Sequence, residues 1–213
     1  MGYKGTSLDL KNDLNYGQMI TPIARVKAEL PLFLPNLYFI ANPMRFDSTG
    51  IRTSSFKFGD VANFSANVPF STTLKLDHYD VALFYGVPFL KTVTDNILNV
   101  EFGLNLRIID FKAEITQSQT GLSQSKSLIV PVPMGYAGIQ IAPVELIKIE
   151  AELRGIAYGT QRYYDALGRV KIKPIPFLFI AGGYKFENIH LDQSDVLADL
   201  RFGGPVIEAG IEF

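Results

Sequence analysis

The stretch Ile147-Lys148-Ile149-Glu150-Ala151-Glu152-Leu153-Arg154-Gly155-Ile156-Ala157 decides the fold. Ile147, Ile149, Ala151, Leu153, Gly155 and Ala157 alternate with Lys148, Glu150, Glu152 and Arg154. Successive side chains of a β-strand point to opposite faces, so this segment carries one apolar face and one charged face. The turn of a helix would scatter the same charges around its circumference.

The alternation recurs along the chain. Val100, Phe102, Leu104, Leu106 and Ile108 interleave with Asn99, Glu101, Gly103, Asn105 and Arg107. Ala24, Val26, Ala28 and Leu30 interleave with Arg25, Lys27 and Glu29, and Gly168, Val170 and Ile172 with Arg169, Lys171 and Lys173. Turn-forming residues between such runs predict strands at 21–31, 36–48, 70–87, 96–116, 124–142, 144–160, 163–175, 177–192 and 196–213. No segment has a helical period, so residues 1–213 read as one all-β domain. Leu32–Pro35, Ala142-Pro143 and Pro174-Ile175-Pro176 are short apolar connections, whereas 48–70, 116–124 and 190–197 are polar. The two kinds alternate, which places short turns at one end of the sheet and longer loops at the other.

Of the 213 residues, 47% are hydrophobic and 19% charged, which excludes a disordered chain. The mean hydropathy is +0.16. Twenty basic and 21 acidic residues give a net charge of -1, so no strong field favours nucleic acid. No Cys is present, which excludes disulfides and thiolate chemistry; with two His, a His-rich metal site is not expected. The longest apolar runs, Leu128–Ile139 and Pro174–Tyr184, fall short of the roughly 20 residues a membrane-crossing helix needs. Met1-Gly2-Tyr3-Lys4 leads into polar residues, so a secretory leader is expected to have been removed or engineered away.

Alternating strands build either a soluble sandwich or barrel, with the apolar face inside, or a transmembrane barrel, with the apolar face in lipid. Three features favour the second. The charged faces mix both signs closely, as a narrow lumen requires. Phe33, Tyr38, Phe39, Tyr85, Phe89, Tyr158, Tyr163, Tyr164, Phe177 and Phe179 lie near strand ends, where aromatic girdles sit. The chain ends with Ile207, Ala209, Ile211 and Phe213 on one face and Glu208, Gly210 and Glu212 on the other. That terminal pattern resembles the insertion signal of bacterial outer-membrane proteins.

Ser7-Leu8-Asp9-Leu10-Lys11-Asn12-Asp13-Leu14, Leu76-Asp77-His78-Tyr79-Asp80 and Asp199-Leu200-Arg201-Phe202-Gly203-Gly204-Pro205 resemble motifs of an uncharacterised family of small bacterial outer-membrane β-barrel proteins. The resemblance implies a location in the outer membrane of Gram-negative bacteria, and a monomer is expected. Its expected partners are outer-membrane lipid, lipopolysaccharide and the assembly machinery. In that family an initial strand normally precedes the first motif, and the family implies no settled activity.

Single-chain bacterial barrels have even strand numbers. With nine strands read, the expectation is a closed antiparallel up-and-down transmembrane β-barrel of ten, the first formed at the N-terminus or partly missing. Eight is the fallback if two segments are loop extensions. Strand phase points Arg25, Lys27, Glu29, Glu101, Arg107, Lys148, Glu150, Glu152, Arg154, Arg169, Lys171, Lys173, Lys185, Glu187, Glu208 and Glu212 into the lumen as a neutralising network. Charges change parity near Asp77–Asp80, Ile108–Asp110 and Arg201–Pro205. Each change marks a bulge or a strand leaving the membrane, with Gly203-Gly204-Pro205 the best bulge candidate.

No nucleophile–base pair matches a known hydrolase pattern. His78 with Asp80, and His190, are weak catalytic candidates, and no cofactor is expected. Asp9 and Asp13 lack EF-hand spacing for calcium and read as a polar cap. The leading functional expectation is a non-enzymatic barrel that anchors, or binds lipid or a surface ligand. The alternatives are a narrow pore for small polar solutes, a lipid hydrolase and a soluble barrel carrier.

Overall fold

The computed structural model describes all residues except 1, 4–8, 10, 12, 32, 60–62, 194–195 and 213, and gives backbone alone at 2–3, 191–193 and 196–198. The strands are β1 (Gly2–Tyr3), outside every segment read from the sequence, and, from the period-two segments, β2 (Ala24–Ala28), β3 (Asn36–Asn42), β4 (Arg45–Gly50), β5 (Phe70–Gly86), β6 (Leu98–Gln117), β7 (Leu122–Val144), β8 (Ile147–Tyr158), β9 (Gln161–Ile175), β10 (Leu178–Gln193) and β11 (Val196–Ile211). One helical turn, α1 (Leu90–Val93), lies between β5 and β6. The strands pair antiparallel in the order β1-β11-β10-β9-β8-β7-β6-β5-β3-β2, with β4 on β5. The sheet is up-and-down and curls into an open half-barrel. Side chains from its two ends meet across the concave face, where Arg25 pairs with Glu208 and the Phe46 and Phe202 rings stack at 5.7 Å.

Strands β3 and β4 are one strand interrupted at Pro43. Asn42 opposes His78 and Arg45 opposes Lys75, so the register on β5 does not slip. Met44 N–H donates to the Asp77 carboxylate at 3.0 Å instead of to the ladder. The segments expected as loops at 116–124 and 190–197 are hairpins, because β6 and β7 run to Gln117 and Leu122, and β10 and β11 to Gln193 and Val196. In the first of these, Thr116 and Ser123 lie on strand and Gln117 is buried; the alternation with Ala113, Ile115 and Leu122 outweighs turn composition. The polar connection at 51–69 is a true long loop.

Backbone parity never changes along β6. Asn99, Glu101, Asn105 and Arg107 are buried on the concave face, followed by Ile109, Ala113 and Ile115 in the same phase. On the convex face, Phe102, Leu104, Leu106 and Ile108 give way to Asp110, Lys112 and Glu114. What inverts is the chemistry, not the strand. The same crossover occurs on β5 between Tyr79 and Asp77, and on β11 between Gly203 and Arg201. The register does not slip at any of the three places, although β5 lacks a paired β3 or β4 residue opposite Asp77, and the expected bulge at Gly203-Gly204-Pro205 is absent. The register shifts fall instead at Ala142-Pro143, between Ile141 and Val144, and at Lys173-Pro174, where β9 meets β10. Proline cannot donate to the ladder, and Pro205 is accommodated on edge strand β11.

Beyond the crossover the concave face is a hydrocarbon core. Leu14, Phe56, Phe58, Phe64, Phe70, Leu74, Ala113 and Ile115 pack together, with Tyr16, Phe46 and Phe111 against them. The 51–69 loop and the segment after Asp13 thus fold over that end of the concavity. β7 overshoots β8, whose pairing begins only at Gly135. Pro131 and Pro133 lie on this overshoot, where a missing N–H breaks no bond to β8.

Candidate functional site

The concave face between the apolar core and the short-turn end holds the charged side chains. Arg107 stands at its centre. Its Nε and Nη2 donate to Asp80 at 2.8 and 3.0 Å, a bidentate fork. Nη1 donates to the Tyr163 hydroxyl at 2.8 Å and to Glu187 at 3.3 Å, and Nη2 also pairs with Asp165. Tyr163 in turn donates to Glu187. Asn105 donates to Asp80 at 2.7 Å, and Lys185 reaches Glu187 at 2.9 Å. Strands β5, β6, β9 and β10 each contribute to this one cluster.

A second cluster lies toward the short turns. Arg169 donates to Glu150 at 2.6 Å and to Glu152 at 3.3 Å, and pairs with Glu208. Arg154 donates to Glu152 at 2.9 Å, and its guanidinium lies 5.0 and 5.1 Å from the ring centres of Tyr38 and Tyr136. Lys27 meets Glu101 at 2.6 Å, and Glu101 also accepts from Tyr136 and Asn99, each at 2.9 Å. Lys148, Lys171 and Lys173 converge on Glu212 near the last residues of β11.

Arg107 and Arg154 are only 1% and 2% exposed. An isolated buried ion costs several kcal/mol, at least in order of magnitude, unless paired and hydrogen-bonded. The pairings above meet that requirement. A cavity of about 10 Å³ between Arg25, Arg107, Arg154 and Asp165 has room for roughly one water. Arg154 Nε and Asp165 Oδ1, each without a hydrogen-bond partner among the described residues, belong to residues that line it.

Of the sixteen charged residues assigned to the interior, Glu29 is the exception. Its side chain is 62% exposed and pairs with Lys91 of α1 at 2.9 Å, because β2 ends at Ala28 and the alternation outlives the strand. Tyr38 and Tyr163 are buried in the concavity, not in a girdle, and Phe179 lies under Lys171 on the same side. Their hydroxyls and rings solvate the ions. Asp80, His78, Tyr136 and Asp165 join the network although phase reading left them out, and Asn105 joins it on the polar phase of β6. Tyr163 and Asp165 share parity with Arg169 and Lys171, and that signal was available. Phe213 lies outside the described residues, while Ile207 and Ile211 are exposed on the convex face.

The catalytic candidates separate. His78 is fully buried, its Nδ1 3.3 Å from Glu187 and its Nε2 3.5 Å from the Tyr163 hydroxyl, which makes it a member of the ion cluster. His190 sits on the convex face, 3.9 Å from Asp199. Asp13 accepts the Asp9 N–H at 2.9 Å and lies 3.4 Å from Arg52, and no metal-binding cluster occurs among the described residues. Compared with protein-family models, with curated proteins and with solved structures, the chain matches none.

Proposed function

We propose that this chain is an integral outer-membrane β-barrel, non-enzymatic, that anchors or binds lipid or a surface ligand, with its lumen filled by a fixed ion network. The observation that carries the reading is the inversion of ordinary sheet chemistry: apolar side chains cover the convex face while ions are buried on the concave one. A soluble barrel or sandwich does the opposite. The convex apolar stretch of β6 runs from Leu98 to Ile108, matching the about 9–11 residues with which a tilted strand crosses a bilayer. Exposed Phe33, Tyr85, Phe89 and Phe177 border it at the short-turn end, and Tyr79 and Tyr164 at the other. The resemblance of the terminal alternation to an insertion signal supports the same location and a transient partnership with the assembly machinery.

Closure requires one more strand. With β3 and β4 counted together, strand directions alternate from β2 to β11, so these two edges run parallel. A tenth strand antiparallel to both completes the ladder, and Gly2–Tyr3 already lie antiparallel on the outer edge of β11. Heat-modifiable migration on SDS gels tests the closed barrel: the unboiled protein runs as a compact band, and identical bands overturn the reading. In planar bilayers the ion-filled lumen gives no discrete conductance. Stepwise currents would establish the narrow pore instead. Lipid release by purified protein that disappears on replacing His78 and His190 with Ala would establish a hydrolase.

A further inference from the structure

We propose that the convex wall formed by β9, β10 and β11 carries a binding site for a phosphate-bearing lipid headgroup, built from Arg162, Tyr164, Asn188, His190 and Arg201. The proposal rests on the membrane reading above. Cross-strand pairing sets the residues in two adjacent rows. Arg162 opposes His190, which opposes Asp199, and Tyr164 opposes Asn188, which opposes Arg201. All six share the convex phase. The next convex row toward the short turns is Ala166, Phe186 and Gly203, followed by Gly168, Tyr184 and Pro205. The polar rows therefore stand directly on the edge of the apolar band, at the height of lipid headgroups.

The grid has donors to spare. Neighbouring strands lie about 4.8 Å apart and successive rows about 6.8 Å, so the two arginines stand roughly 12 Å apart on a diagonal across β10, close enough for long side chains to converge on one group. A guanidinium fork matches a phosphate in a bidentate manner. Asp199 is the acidic member of the grid, and it lies 3.7 Å from Arg201 Nε and 3.9 Å from His190 Nδ1, beyond hydrogen-bond reach of both. No ion pair of Arg162 occurs among the described residues.

The opposite wall differs at the same level. There Arg45, Lys75 and Lys112 face one another across β4, β5 and β6. Each has a close carboxylate: Arg45–Asp47 at 3.0 Å, Lys75–Asp110 at 2.6 Å and Lys112–Glu114 at 2.7 Å. One wall pairs its cations closely; on the other, Arg201 meets Asp199 only at 3.7 Å, and Arg162 has no ion pair among the described residues. Exposed Tyr184, Phe186 and Ile207 below the forks offer an apolar surface for acyl chains, which favours a lipid over a free anion.

The test is native mass spectrometry of the detergent-purified full chain titrated with lipid A, with dephosphorylated lipid A and with inorganic phosphate. The expected result is retention of lipid A over the other two. The double variant Arg162→Ala/Arg201→Ala should weaken it by about tenfold or more, the effect of losing roughly 1.4 kcal/mol. Arg162→Lys/Arg201→Lys should retain part of the binding, and Arg45→Ala/Lys112→Ala all of it. Equal lipid A retention by the double alanine variant, or equal retention of dephosphorylated lipid A, overturns the site. Phosphate binding as tight as lipid A overturns the lipid assignment. Heat-modifiable migration is read on every variant. Its presence without lipid discrimination sinks this site alone, whereas its absence in the wild type sinks the membrane reading.

Discussion

The two halves of β6 share one backbone, one twist and one parity, yet they are opposites. From Asn99 to Arg107 the concave side chains are polar and the convex ones apolar; from Ile109 to Gln117 the buried concave side is largely apolar and the convex one charged. The strand pattern fixes only which residues share a face. Which face is apolar is fixed by what lies beyond it: an interior of ions behind the first half, and a hydrocarbon core behind the second.

The comparison breaks most readily at Arg107. Arg107→Ala leaves Asp80, Asp165 and Glu187 buried without their shared cation and should destabilise the folded state by about 3–5 kcal/mol. Urea unfolding in vesicles measures it, and a loss under 1 kcal/mol would mean that the concavity is wet. On the opposite face, Leu104→Arg should cost about 2–4 kcal/mol in a bilayer. A neutral result there would remove lipid from the picture. Past the crossover, Ile115→Val trims the hydrocarbon core and should cost about 0.5–1.5 kcal/mol. Lys112→Ala, which breaks only an exposed pair with Glu114, should change stability by less than about 0.5 kcal/mol.

The smallest effect is a titration. Above the apolar band, the Thr73 hydroxyl, and then Arg45, hold the Asp47 carboxyl below its ordinary value. A carboxylate held down adds stability above its unfolded value and loses it as pH falls through the folded one, so the contribution fades only in acid, below about pH 4. Carbon-detected NMR of Asp47 should show the low midpoint, and Thr73→Val should raise it.

Most of this design is written in period two. The core of the ion network follows from parity on β6, β8 and β9, where charge and hydrocarbon alternate cleanly. On β5 it does not: Leu74, Leu76, His78, Asp80, Ala82 and Phe84 share the concave face, so Asp80 and His78 carry no phase signal of their own. Tyr38 and Tyr163 mislead because a tyrosine suits both a membrane interface and a buried ion. The crossovers are legible as changes in charge parity, but sequence gives a bulge and a change of surroundings the same signature. Only the constant register separates them. The charge-spare grid on β9–β11 needed cross-strand register, which joins residues far apart in the chain.

Pro131 and Pro133 have a consequence for how the molecule behaves in company. The β6–β7 hairpin rises beyond β8, and its free edge would ordinarily invite another strand to zip onto it. Two residues without N–H groups on that edge make it a poor template. The hairpin can therefore stand tall among crowded neighbours without recruiting them, and its tip at 118–121 becomes a place where inserted residues would be displayed clear of the sheet.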